Sequence, residues 1–115
     1  MNPRDHVLSI LTALRWELVE AGNDGAWWVD EQWKLCSSAE NRDRELWVTF
    51  IVDPQWEGNR RQGEGVVCIR ASKRRLEGFG DTSTLVAELW IARRLEERLP
   101  EFRASIQEFQ RADLP

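Results

Sequence analysis

Side chains that could carry covalent chemistry are few in this chain. It contains one histidine, His6, and two cysteines, Cys36 and Cys68. His6 falls in the first turn of a predicted helix, where a solvated histidine is the ordinary case. Neither cysteine lies at a recognisable helix N-terminus, and the two do not form a Cys-x-x-Cys pair. We therefore predict no nucleophilic catalytic centre, no zinc or other metal site and no cofactor.

Carboxylates are abundant, with 20 acidic against 16 basic residues and a net charge of −4. This abundance makes any single acid–base pair arbitrary, so the sequence favours a non-enzymatic protein and leaves carboxylate catalysis open. Glu31 alone stands out, because strand alternation places it between Val29 and Trp33 on an apolar face. A buried carboxylate needs a partner or a raised pKa. The favoured interpretation is a β-bulge or an edge strand that lets Glu31 reach water.

The segment from Lys73 to Thr84 joins basic residues and glycines to a predicted helix N-terminus, which are the parts of an anion site. It matches neither the Walker pattern nor Gly-x-Gly-x-x-Gly, so a solvated loop is the simpler interpretation. Meander geometry would bring Arg42 and Arg44 toward this loop, where acidic neighbours favour local ion pairs. The candidate anion-binding residues of the segment are Lys73, Arg74, Arg75 and Phe79.

Seven tryptophans and no tyrosine form the unusual part of the composition. Tryptophans concentrate in cores and at interfaces because they are large and amphipathic. Trp27 and Trp33 are predicted to lie in the core. Trp28 and Trp47 share the second face of the predicted sheet with Arg70. That face is either a covered second layer or an aromatic surface that binds a ligand or a second copy of the chain.

Trp16 and Trp90 lie away from the apolar stripes of the helices predicted to contain them. A single exposed aromatic side chain is normal. Two of them, on two helices, predict a second contact of these helices, either with each other or with a partner chain. Trp16 and Trp90 are therefore the candidate interface residues.

Hydrophobic periodicity predicts the elements that position these side chains. The segment 46–52 is apolar on both faces and is predicted to be the central strand. The predicted fold is an α+β domain spanning residues 1–115, with a small three-stranded antiparallel meander sheet packed by helices in the order α-β-β-β-α-α. A further short strand within residues 54–65 stays open. The predicted helices are 3–21, 83–99 and 101–111, separated at Pro100, and the predicted strands are 27–36, 46–52 and 65–72.

The expected function is that of a cytoplasmic, non-enzymatic interaction module that binds a protein partner, or a second copy as a homodimer, through its tryptophan-bearing surfaces. No stretch is long and apolar enough to predict a membrane span. The element order resembles small secretion chaperones and immunity proteins at the level of fold, which implies partner binding of that kind. The alternative is a domain that binds a small anionic ligand or nucleotide, using Trp28, Trp47 and Arg70 with the basic loop. The acidic balance disfavours nucleic acid.

Overall fold

The computed structural model describes residues 3–23, 26–37, 44–53, 55, 65–91 and 95–111. Within these ranges, five strands form one antiparallel sheet in which each strand lies beside its neighbours along the chain. The α+β class and the antiparallel sheet are confirmed. The three-stranded sheet and the order α-β-β-β-α-α are wrong, because two segments predicted as helix are strands. The elements are α1 (Pro3–Ala13), β1 (Glu17–Gly22), β2 (Val29–Ser37), β3 (Arg44–Val52), β4 (Val66–Ser72), β5 (Leu85–Trp90) and α2 (Leu95–Arg111).

The first helix ends well short of Ala21, at a turn built around Arg15. Arg15 has a φ of 69°, in the left-handed region. The N–H of Trp16 donates to the carbonyl of Leu11 at 2.9 Å, and that of Arg15 donates to the carbonyl of Thr12 at 3.0 Å. This pair of bonds is a Schellman motif, with arginine in the position that glycine usually holds. The chain leaves the helix there and continues as β1.

The segment predicted as the second helix begins instead as β5. Ala87 and Leu89 are buried, whereas Glu88 and Trp90 between and after them are exposed. The apolar residues of this segment satisfy a period of two as well as a helical period, so periodicity alone did not separate the two structures.

Pro100 lies inside α2, although it was predicted to end a helix. Proline removes one backbone hydrogen bond from the second turn. The burial of Phe102, Ile106 and Phe109 along one face of α2 offsets that loss.

The main core lies between one face of the sheet and both helices. Trp33 meets Phe50 edge-on, with ring centroids 4.7 Å apart, which confirms the prediction that Trp33 is a core residue. Each such side chain contributes roughly 1.5–3 kcal/mol on burial. Other members from the sheet are Leu35, Leu46, Val48, Ile69, Ala71, Ala87 and Leu89, and the helices add Val7, Leu11, Phe102, Ile106 and Phe109.

A β-bulge between Val29 and Glu31 changes the face that β2 residues take. Glu31 lies opposite Phe50 and stays on the core side of the sheet, half-buried. Its carboxylate pairs with Arg4 of α1 at 3.6 Å and accepts a bond from the Trp33 indole. The expected bulge is present, and Glu31 is balanced by a cation from the helix rather than turned to the opposite face.

The same bulge reverses the alternation before it. Val29 lies opposite Ile51 on the second face of the sheet, not in the main core. Trp28 is buried with them, and Trp27 is exposed. The prediction that Trp27 is a core residue is therefore wrong.

Strand β3 separates the strands that carry the cysteines, as expected, and Cys36 and Cys68 are free thiols. Neither described helix has the length and apolar character needed to cross a membrane. Arg42, which was expected to approach the basic loop, lies outside the described ranges. Residues 56–64, where a further short strand was considered, also lie outside them.

Candidate binding surface

The sheet face opposite the helices is covered at one end by the connection between β4 and β5, residues 73–84. Leu76 of this connection is buried in a second, smaller apolar cluster with Trp28, Ile51 and Cys68. This end of the face is therefore a second layer of core. Phe79, from the same connection, lies on the outside of that layer and is exposed.

A row of polar residues crosses the middle of this face. Gln32, Thr49, Arg70 and Glu88 are successive cross-strand partners on β2, β3, β4 and β5. The Gln32 amide donates to the Thr49 hydroxyl at 3.1 Å, and Arg70 Nε donates to Glu88 Oε2 at 2.8 Å. The Arg70 side chain is only 9% exposed, so Glu88 supplies the counter-charge that a buried guanidinium requires.

Two exposed aromatic side chains, Phe79 and Trp90, contact this ion pair, and a third, Trp27, contacts Phe79; we call the three the aromatic surface. Trp27, Phe79 and Trp90 are 43%, 40% and 46% exposed. Trp27 stacks on Phe79 with ring centroids 6.5 Å apart and planes 15° apart. The indole N–H of Trp90 donates to Glu88 Oε1 at 2.7 Å.

Arg70 joins the two halves of the aromatic surface. Its Nη1 donates to the backbone carbonyl of Phe79 at 2.7 Å, and its guanidinium carbon lies 5.9 Å from the centre of the Phe79 ring. Since Glu88 bonds both Arg70 and Trp90, a continuous set of contacts runs from Trp90 to Trp27. Side chains held in this way lose little conformational entropy when they bind a partner.

Comparison with protein-family models, with curated proteins and with solved structures finds no match for this chain. Within the described ranges, no group of three or more His, Cys, Asp or Glu side chains is placed to hold a metal ion.

The turn that presents Phe79 is fixed by Asp81. The Asp81 carboxylate accepts the backbone N–H of Glu77 and that of Ser83, each at 3.1 Å, and the Ser83 hydroxyl at 2.8 Å. These bonds lower the pKa of Asp81, the one from Glu77 most strongly. At neutral pH the Asp81 carboxylate is therefore ionised, and its hydrogen bonds to Glu77 and Ser83 stabilise the turn.

Trp28 and Trp47 do not form the single binding face that the sequence suggested. Trp28 lies edge-on to Phe79, with ring centroids 6.5 Å apart. Trp28 belongs to the cluster that contains Ile51. Trp47 is four residues from Ile51 along β3, about 13 Å away at the usual strand rise, so it lies apart from that cluster. It is half-buried, with the Lys34 ammonium 5.6 Å from its ring centre.

Lys73, at the start of the β4–β5 connection, does not converge with Arg70. Lys73, Arg74 and Arg75 are exposed, and the Lys73 ammonium lies 6.0 Å from the ring of Phe109 on α2. That places Lys73 toward the helix-covered side of the sheet, whereas Arg70 faces the other side. The helix N-terminus expected after this loop is wrong, because the following element is β5.

Trp16 is buried. It is 3% exposed and packs in the main core, because the chain leaves α1 at Arg15 instead of continuing as a helix. The expectation that Trp16 faces outward with Trp90 is therefore wrong. Trp90 is exposed as expected, on a strand.

Proposed function

We propose that this chain is an interaction module that binds a protein partner through the aromatic surface, in the manner of a small immunity protein or chaperone. The observation that carries the proposal is the fixed exposure of Trp27, Phe79 and Trp90 around the Arg70–Glu88 pair. Aromatic residues and arginine are the side chains most enriched in the energetically dominant parts of protein interfaces.

A small anionic ligand has less support from the geometry. Arg70 already bonds Glu88 and the Phe79 carbonyl. Lys73 lies toward α2, on the far side of the sheet. Because the charge of Arg70 is already balanced by Glu88 and its side chain is only 9% exposed, an added anion would gain little from it.

The proposal is tested by replacing the exposed aromatic side chains singly with serine, as Trp27→Ser, Phe79→Ser and Trp90→Ser. Val19→Ser is the matched control, because Val19 is an exposed apolar residue on edge strand β1. Circular dichroism and the urea midpoint check that each variant folds.

Each tagged variant is used to capture partners from an extract of the source cells, and the captured proteins are quantified by mass spectrometry. The oligomeric mass of each variant is measured by light scattering. We expect the aromatic variants either to capture less of a partner protein or to show a lower oligomeric mass than the unaltered chain. Val19→Ser should match the unaltered chain in both measurements. Equal retention in all four variants would contradict the proposal, and so would the absence of any association by the unaltered chain.

A further inference from the structure

We propose that the partner segment bound by the aromatic surface is basic, with an arginine or lysine side chain placed over the exposed indole of Trp90 and paired with Glu88. This inference rests on the proposed function and specifies the chemistry of the partner. It draws on three features: the position of Glu88 beside Trp90, the acidic groups near Phe79, and two contacts of the same kind inside the fold.

Glu88 has room for a further donor. Its carboxylate oxygens accept bonds from Arg70 and from Trp90, and the Cys68 thiol is a third hydrogen-bonding neighbour. An ionised carboxylate offers about four acceptor sites, so three partners leave capacity for one more donor. The Glu88 side chain is 28% exposed, and the Trp90 ring beside it is open to solvent. A guanidinium can therefore lie against the indole and reach the carboxylate at once.

Arg70 and Arg4 both show this arrangement within the fold. The Arg70 guanidinium lies 5.9 Å from the Phe79 ring centre while its Nε bonds Glu88. The Arg4 guanidinium lies 4.8 Å from the Phe50 ring centre while it pairs with Asp30. In each case one cation is shared between an aromatic ring and a carboxylate, which is the contact we infer for the partner.

Two acidic residues, Glu77 and Asp81, lie within two positions of Phe79 and favour a cationic group there over an anionic one. Asp81 is two residues from Phe79, and its carboxylate accepts the backbone N–H of Glu77. The basic residues of the same connection lie at its β4 end, where Lys73 turns toward α2. The whole chain carries a net charge of −4. Opposite charge on the partner would raise the association rate and disfavour acidic competitors.

The test uses an acetylated and amidated nonapeptide of leucine, glycine and two arginines, and a second peptide in which citrulline replaces both arginines. Citrulline keeps the shape of arginine without its charge. Both are titrated by calorimetry into the full chain. We expect the citrulline peptide to bind about tenfold more weakly, and the arginine peptide to weaken when salt rises from about 50 to about 500 mM.

Variants locate the contact. Trp90→Ser and Glu88→Gln should each weaken the arginine peptide by about fivefold or more. Val19→Ser and Glu101→Gln should bind it as the unaltered chain does, since Glu101 is an exposed carboxylate paired with Arg98 on α2.

Equal binding of the two peptides overturns the inference, as does no binding of the arginine peptide. If the aromatic variants still lose their captured protein in either case, the proposed function stands and only the basic character of the partner fails. If those variants keep their partner, the proposed function itself fails, whatever the peptides do.

Discussion

Trp16 stacks on Phe109, with ring centroids 6.2 Å apart and planes 9° apart. The contact joins the residue that follows the turn after α1 to the last turn of α2. The Gln110 amide reinforces it by donating to the Leu14 carbonyl at 2.7 Å. Arg44 of β3 donates to the Phe109 carbonyl, which is one of the carbonyls that a helix end leaves without an intrahelical partner. The two helices and the central strand are thus tied together at one point.

Loss of this stack should destabilise the fold. Trp16→Leu and Phe109→Leu should each lower the free energy of unfolding by about 1–3 kcal/mol, since both are buried. The double variant should show a coupling energy of about 0.5–1.5 kcal/mol, the range for aromatic pairs. Urea denaturation of the four proteins in the cycle measures it, with the exposed Leu8→Ala as control. Strict additivity would show that the rings do not interact.

Relief of the left-handed turn should stabilise the protein. Arg15 has a φ of 69°, which glycine adopts without the steric cost of a Cβ atom. We expect Arg15→Gly to raise the free energy of unfolding by about 0.5–1 kcal/mol. Arg15→Ala removes the same side chain while keeping the Cβ, so it should show no such gain. A stabilisation of equal size in both variants would assign the effect to the arginine side chain instead.

The Arg70–Glu88 pair should matter more for stability than an exposed pair. Glu88→Ala removes the counter-charge of a mostly buried guanidinium, and we expect it to lower the free energy of unfolding by about 1–3 kcal/mol. Glu101→Ala breaks the exposed pair with Arg98 and should change it by less than about 0.5 kcal/mol. Thermal and urea unfolding of both variants provide the comparison. Equal effects would mean that burial adds nothing to the Arg70–Glu88 contact.

Alkaline pH should weaken the fold through Cys68. Burial raises the pKa of the Cys68 thiol from 9.0 to about 12, with Glu88 adding to the rise and Arg70 opposing it. Above pH 9 the unfolded chain loses this proton while the folded chain keeps it, so stability is full below pH 9 and falls toward pH 12. The chain has no tyrosine and two lysines, so few other groups titrate there.

Urea midpoints at about pH 8 and about pH 10.5 test this alkaline loss, because they bracket the ordinary thiol pKa. The Cys68→Ala variant should lose less stability between the two pH values than the unaltered chain. Cys36→Ala should keep the full loss that Cys68 causes. If Cys68→Ala leaves the pH dependence unchanged, the thiol is not the group responsible.

Composition was sufficient to locate three of the five strands. The segment 46–52 is rich in β-branched and aromatic residues, and it is β3, with partners on both sides. The segment that became β5 was predicted as a helix because its apolar spacing fits both periods. The segment that became β1 was predicted as the end of α1, and all six of its residues are exposed, so no alternation of buried residues marks it as a strand. The end of α1 depends on a residue in the left-handed region of φ. A glycine at position 15 would have indicated such a residue, but an arginine does not.

The candidate site depended on features that act over longer distances. The bulge at Val29 and Glu31 decides that Trp28 is buried and Trp27 exposed, and a bulge has no distinct sequence pattern here. Strand alternation correctly separated Trp27 from Trp28, but without the bulge it assigned Trp27 to the core. The stacking of Trp27 on Phe79 depends on how a twelve-residue connection, residues 73–84, folds back over the sheet.

The sequential strand order has a kinetic consequence. Each strand pairs with its neighbour along the chain, so the sheet can grow hairpin by hairpin with small losses of loop entropy. The bond between Gln110 and Leu14, by contrast, joins residues 96 positions apart. Contacts this distant in sequence slow folding when they must form early. We therefore expect the meander to assemble first. The contact between the turn after α1 and the last turn of α2 should form last, and unfolding should become slow once it has formed.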